Sequence, residues 1–335
     1  MKRGPLRRLR RNDASDTSPA LREVERSLTW VWSTPRAGAE LLLQLVAHPL
    51  RPDRKATMSF RPPPSKATTR PHVVPIDELC FGTHFAPWPG DIVERGESLA
   101  PGTVLDLSET DDPYLLSRYS EPIWRGPLRN LLLSRVAAAR SRAADHVRGI
   151  EAGSPVVIKE VTSSYAAVRV MSLTPAAGMI ALVRDPRDVV LSRVSHPDAL
   201  GVPEPLGTAD RAAEVEHAAR LWAMSVDVLS AAISANAAEG PGRSILLRYE
   251  DLLRDPAAAL AGSLEIAGVA RDPEAVSEAV DLSWIGSDPP DREPLEHDLS
   301  TPVGAWQNEL TTDEIETVER IAGGRLETLG YDRRG

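Results

Sequence analysis

Four short apolar runs, SLTWVW, VVIKEV, MIALV and SILLR, each break off into a polar or charged turn, and each turn except the last leads straight into a helical pattern. Continuous apolar runs of this length mark strands buried on both faces, and such strands are parallel and joined by helices. The expected fold is therefore α/β, a three-layer sandwich whose mostly parallel central sheet is covered by helices on both sides. In such sheets ligands bind beyond the C-terminal ends of the strands. TPRAGAE, KEVTSS, RDPRD and RYEDL all fall there.

The remaining segments follow from periodicity and end signals. PALREVERS reads as a short helix, 27–33 as the first strand, and 39–48 as the helix after it. Residues 51–75, rich in Pro and basic residues and without periodicity, read as a long loop or an ordered lid. TVLDLSE (103–109) reads as a strand and 128–149 as a helix. A long helix is expected over 210–238, and SILLRYEDL (244–252) as a strand running into a turn. Residues 256–268 open with Pro and end on Gly, and 311–329 open with Thr311 and an acidic first turn and close at Gly330, so both read as helices. The division expected is a basic tail at 1–26 and one domain at 27–335 with an insertion at about 51–127 that shapes a pocket.

Charge and composition exclude several classes. Lys2, Arg3, Arg7, Arg8, Arg10 and Arg11 load the first twelve residues, yet the whole chain carries −9, so the body has no nucleic-acid-binding balance. A basic arm of this kind reads as a solvated tail. Apolar runs stop well short of the roughly 18 residues of a membrane span, so no membrane partner is expected. Neither a secretory pattern nor a disulfide framework is visible, Cys80 being the one cysteine, and the expected location is the cytoplasm. No Cys/His spacing suggests a metal.

Two stretches can carry chemistry. In TPRAGAELL the turn after the first strand brings Pro35, Arg36 and Gly38 to a helix start, where backbone N–H groups and the helix dipole favour an anion. The pattern GxxxxGK[ST] is absent, so this is no Walker A loop. EGPGRS (239–244) precedes a strand rather than a helix and is no dinucleotide loop. In LVRDPRDVVLSR, Arg184 stands at a strand end and Ser192 two helical turns further on, within reach of one phosphate. The competing reading of Arg184, Asp185, Arg187 and Asp188 is a set of surface ion pairs.

Together with RYEDL, followed by RDP and a helix, and with VGAWQNELTTDEIETVERIAGGRLETLGYD, these stretches resemble the sulfotransferases that use 3′-phosphoadenosine 5′-phosphosulfate (PAPS). The resemblance covers about 29–332, loosely between 48 and 156, and implies a P-loop-type α/β fold. It implies that Pro35, Arg36, Ala37, Gly38, Ala39 and Glu40 surround the 5′-phosphosulfate, that Arg184 and Ser192 hold the 3′-phosphate, and that Tyr249 of RYEDL belongs to the donor site. Lys159, the sole lysine after Lys66, matches a strand-end lysine that contacts the phosphosulfate in several members. The general base is implied to be His84, with Glu78 and Glu160 as competitors; His196 and His217 read as surface or packing residues. PAPS is then the co-substrate, no metal is required, and the acceptor is a small-molecule hydroxyl; a homodimer is left open.

The sequence departs from that family at two places. Ala37, Ala39 and Glu40 stand where the family carries hydroxyls, and HDLSTPVGAW stands where it carries a basic loop. The alternative reading is therefore a relative that kept the fold and lost or changed the donor.

Overall fold

The computed structural model of the 335-residue chain describes residues 17–47, 73–77, 121–146, 150–160, 164–195, 210–239, 243–269, 273–283 and 302–333. Its centre is a five-stranded sheet: β1 (Leu28–Ser33), β2 (Val74–Asp77), β3 (Val156–Lys159), β4 (Gly178–Val183) and β5 (Ser244–Arg248), in the order β2-β3-β1-β4-β5. All four pairings are parallel, with Trp30 opposite Ile158 on one side and Met179 on the other. β1, β3 and β4 are buried along their whole length, which is why they read as unbroken apolar runs. β2 was hidden in the Pro-rich stretch that reads as loop. Its Pro75 is tolerated because β2 is an edge strand, where a missing N–H leaves no ladder bond unmade.

Side chains alternate between two cores. Leu28, Trp30, Trp32, Val156, Ile158, Met179, Ala181 and Val183 face one layer of helices. That layer holds α1 (Pro19–Arg26), α3 (Glu121–His146), α4 (Ala167–Leu173), α6 (Arg211–Glu239) and the C-terminal pair α11 (Thr312–Ala322) and α12 (Gly324–Thr328). Val31, Val157, Ile180, Leu182 and Leu247 face the other layer, made of α2 (Ala39–Ala47), α8 (Pro256–Ile266) and α9 (Pro273–Ser283). Three short or crossing helices and one 3-10 turn (Ser164–Ala166) complete the described residues: the helices are α5 (Pro186–Ser195) after β4, α7 (Tyr249–Arg254) after β5, and α10 (Trp306–Glu309). The three-layer sandwich expected from the sequence is the fold observed.

Several boundaries differ from expectation, each for a physical reason. α1 belongs to the body rather than to the basic tail: Val24 and Glu25 are buried, and Glu25 pairs with Arg129 while accepting the Ala176 N–H at 3.1 Å. α3 starts seven residues before the expected position and continues through Pro127, which sits on its exposed side. YEDLLR is helix rather than turn. The helix expected over 311–329 is two, because Gly323 takes φ 57° and ψ −139°, a conformation open to glycine alone, and turns the chain. Its start was legible, Thr311 and Glu314 forming a reciprocal capping box. α6 has the length and apolar composition of a membrane span over 211–237, yet Trp222, Leu229 and Ala232 lie fully buried in the first core. The strand expected at 103–109 and the insertion up to residue 120, apart from β2, lie outside the described residues.

Candidate functional site

β1 is where the strand order reverses: the chain moves from β1 to β2 and β3 on one side, then crosses to β4 and β5 on the other. The crevice between the C-terminal ends of β1 and β4 is the switch point at which such sheets take ligands. The β1–β4 pairing runs one residue past β1, the Thr34 N–H donating to the Leu182 carbonyl at 3.0 Å. The two stretches singled out in the sequence leave the sheet here, side by side.

The turn after β1 is conformationally unusual. Arg36 has φ 59°, a left-handed conformation that costs a branched or long side chain on the order of 1–2 kcal/mol. Gly38 follows at φ 79°, and a Cβ there would stand 2.4 Å from Tyr249 Cε2. Glycine is required twice over, by the backbone and by the ring that Tyr249, at the start of α7, lays across it. Ala37 and Ala39 are buried with Leu42, Leu43 and Tyr249 in the second core. Glu40 belongs to the first turn of α2; its side chain lies outside the described residues.

Arg36, Arg184 and Ser192 come together. The Arg36 Nε donates to Ser192 Oγ at 3.0 Å, and Arg184 Nη1 donates to the Arg36 carbonyl at 3.3 Å. Arg184 also lies 4.8 Å over the Tyr249 ring, so Tyr249 touches both the turn and the second arginine. Burial, with the neighbouring Arg184 charge behind it, lowers the Arg36 pKa. Two cations whose charges oppose each other, one of them bonded to the Ser192 hydroxyl, make a place suited to an anion. The sequence reading had set Arg36 at one end of a donor and Arg184 with Ser192 at the other; the structure draws all three into one cluster.

RDPRD is not a surface charge cluster. Arg184, Asp185, Arg187 and Asp188 are all buried. Arg187 donates to both Asp185 oxygens at 2.9 and 2.7 Å, to Glu319 at 2.8 Å and to the Asp332 carbonyl at 2.9 Å, and stacks 3.8 Å from the Trp306 ring centre. Asp188 accepts the Gly304 N–H at 2.8 Å and the Trp306 N–H at 3.3 Å and stands 3.9 Å from Arg184. Glu250 of α7 accepts the Asp185 N–H and the Tyr331 hydroxyl, each at 2.9 Å. Arg248 stacks on Tyr331 and donates to the Gly330 carbonyl at 3.0 Å. RDPRD, RYEDL, GAW and GYD thus form one network that fixes the tip of β4. The sequence reading treated the last three as landmarks and missed their roles as supports; the acids Glu250 and Asp188 were the available signal.

Lys159 and Glu160 part company. Lys159 pairs with Val31 in register and shares its sheet face, so it stands on the side of α2, beside the strand that carries the turn. Glu160 donates its N–H to the Val31 carbonyl at 2.9 Å and falls in the row of Val156 and Ile158, fully buried on the opposite face. His84, Glu78, His196, Trp88 and Trp284 lie outside the described residues; His217 is buried on α6, and Trp124 on α3 packs against Leu128 and Leu173. Among the described residues no group of three or more His, Cys, Asp or Glu side chains is placed to hold a metal ion.

Comparison with known proteins adds a similarity. Residues 109–273 match the family model described as "Sulfotransferase family". Over 196 residues the chain is 30% identical to mouse carbohydrate sulfotransferase 5, covering 53% of this chain and 48% of that protein. It thus spans about half the length of the curated relative it matches. Among solved structures, a mouse sulfotransferase complexed with PAP is similar at 12% identity, covering 93% of this chain and 90% of that one with a TM-score of 0.48. The sulfotransferase domain from the curacin biosynthetic pathway is similar at 17% identity over 91% and 98% of the two chains, with a TM-score of 0.42. The family match runs through β3, β4, RDPRD and RYEDL, the β4 side of the crevice, and over those residues the chain is similar to the sulfotransferase family.

Proposed function

We propose that the chain transfers a sulfuryl group from PAPS to a hydroxyl of a small-molecule acceptor. The observation that carries this reading is the meeting of Arg36, Arg184 and Ser192 at the β1/β4 crevice. Bound there, the donor would supply an activated sulfuryl group whose leaving side is a bisphosphorylated nucleoside. Arg184 and Ser192 would hold its 3′-phosphate. Arg36 stands on the Ser192 hydroxyl and would have to yield it, turning its charge to the same nucleotide. Lys159, on the α2 side of the sheet, would neutralise charge that builds on the leaving oxygen. His84, Glu78 or Glu160 would take the acceptor proton, and Glu160 could do so only from the face opposite Lys159. Because the curated relative is named a carbohydrate sulfotransferase, sugar hydroxyls are the first acceptors to screen.

A second reading is a relative that kept the fold without the donor. Ala37 and Ala39 are buried in an apolar cluster, so the turn offers no hydroxyl at either position. Calorimetric titration with adenosine 3′,5′-bisphosphate separates the two. Saturable binding at micromolar to low millimolar ligand is expected; no heat at millimolar ligand would overturn the donor assignment.

A further inference from the structure

Asp188 is fully buried on the first turn of α5, and its carboxylate serves two masters. One oxygen receives the Gly304 N–H at 2.8 Å and stands 3.9 Å from Arg184, and the other receives the Trp306 N–H at 3.3 Å. We propose that Asp188 is a positioning residue that shares Arg184 between the anion site and the Gly304–Trp306 turn, so that anion binding at Arg184 is coupled to proton uptake by Asp188. This rests on Arg184 being an anion-binding residue.

The argument is electrostatic. An anion arriving at Arg184 meets the Asp188 charge on the same guanidinium, inside a region screened from solvent. Two negative groups on one cation disfavour each other, and the carboxylate is the one that can lose its charge. From its own segment Asp188 faces Arg184 and Asp185, the latter a like charge that also raises its pKa. Arg187 is taken up by Asp185 and Glu319 of α11, and Glu250 of α7 by the Asp185 N–H and Tyr331. Arg36 reaches the same cluster through Arg184. From residues 302–310 the described partners are two backbone N–H groups and the apolar contact of Trp306 and Leu310 with Leu191. Burial outweighs these bonds and pushes the Asp188 carboxyl up to about 6, so its charge changes where anion binding is readily measured.

The probe is inorganic sulfate, whose charge stays fixed between pH 5.5 and 7.5, titrated into the full chain and into Asp188→Asn. The amide oxygen of asparagine keeps one of the two acceptors for the turn, its NH2 puts a donor in place of the other, and neither titrates. Wild type should bind sulfate about sixfold more tightly at pH 5.5 than at 7.5, the effect of one pKa unit of coupling on a carboxyl that titrates near 6. Asp188→Asn should bind with no such dependence, and already at pH 7.5 as tightly as wild type does at 5.5. If asparagine prevents folding, Asp188→Ser takes its place in the same comparison. Equal pH slopes in wild type and variant, or no sulfate binding to wild type, would overturn the proposal. Failure of adenosine 3′,5′-bisphosphate to bind while the sulfate slope persists would remove the donor and leave the Asp188 coupling standing.

Discussion

Arg184 shows how one buried charge is kept in place. Its carbonyl receives the Trp222 indole N–H at 2.8 Å, its guanidinium lies over Tyr249, donates to the Arg36 carbonyl and faces Asp188. A planar guanidinium held in one orientation is what recognition of a phosphate needs. Ser192 is equally enclosed, and its hydroxyl is already engaged by Arg36. Ser192→Ala should therefore weaken adenosine 3′,5′-bisphosphate by about tenfold or more, the worth of one hydrogen bond to a charged group. Arg184→Ala should weaken it further. Neither should alter the affinity of the corresponding 3′-hydroxyl nucleotide to the same degree, and equal losses for the two nucleotides in calorimetry would contradict the assignment.

The β1–turn–α2 unit depends on the start of α7 as much as on its own residues. Tyr249 lies where the Cβ of any residue but glycine at position 38 would go, and the positive φ there adds strain of its own. Gly38→Ala should destabilise the chain by about 2 kcal/mol or more and lower its melting temperature by several degrees. It should also displace Tyr249 from Arg184, so nucleotide affinity should fall in the protein that remains folded. An unchanged melting temperature would show that the turn accommodates a side chain. The turn itself could be located in the sequence because an apolar run, a Gly and an amphipathic run follow one another. The positive φ at Arg36 and the seat of Ala37 and Ala39 in the apolar cluster with Tyr249 could not, since both depend on groups from elsewhere in the chain.

Taken together, the chain's far end holds its middle: residues 330–332 are bonded to Arg248, Glu250 and Arg187, the same groups that fix the tip of β4. Burial and the adjacent Glu250 carboxylate raise the Tyr331 hydroxyl pKa beyond any working pH, so it stays a donor. Tyr331→Phe should leave Glu250 short of one bond and cost about 1–3 kcal/mol, seen as an earlier midpoint in urea unfolding. An unshifted midpoint would show that the strap carries no stability. The layered fold, the parallel strands and the placing of TPRAGAE and RDPRD at strand ends were legible in the chain's own pattern, because burial on both faces demands continuous apolar runs and helix ends demand capping residues. Edge strand β2 was not, as four residues with a Pro among them carry no periodic signal; helix α9 offers the same Pro-first start as α8. That Arg36 meets Ser192, that Lys159 and Glu160 face apart, and that Asp188 answers to residues more than a hundred positions away came from the folded arrangement alone. Such contacts depend on crossovers between distant strands, and no local pattern of residues encodes which distant group arrives beside which.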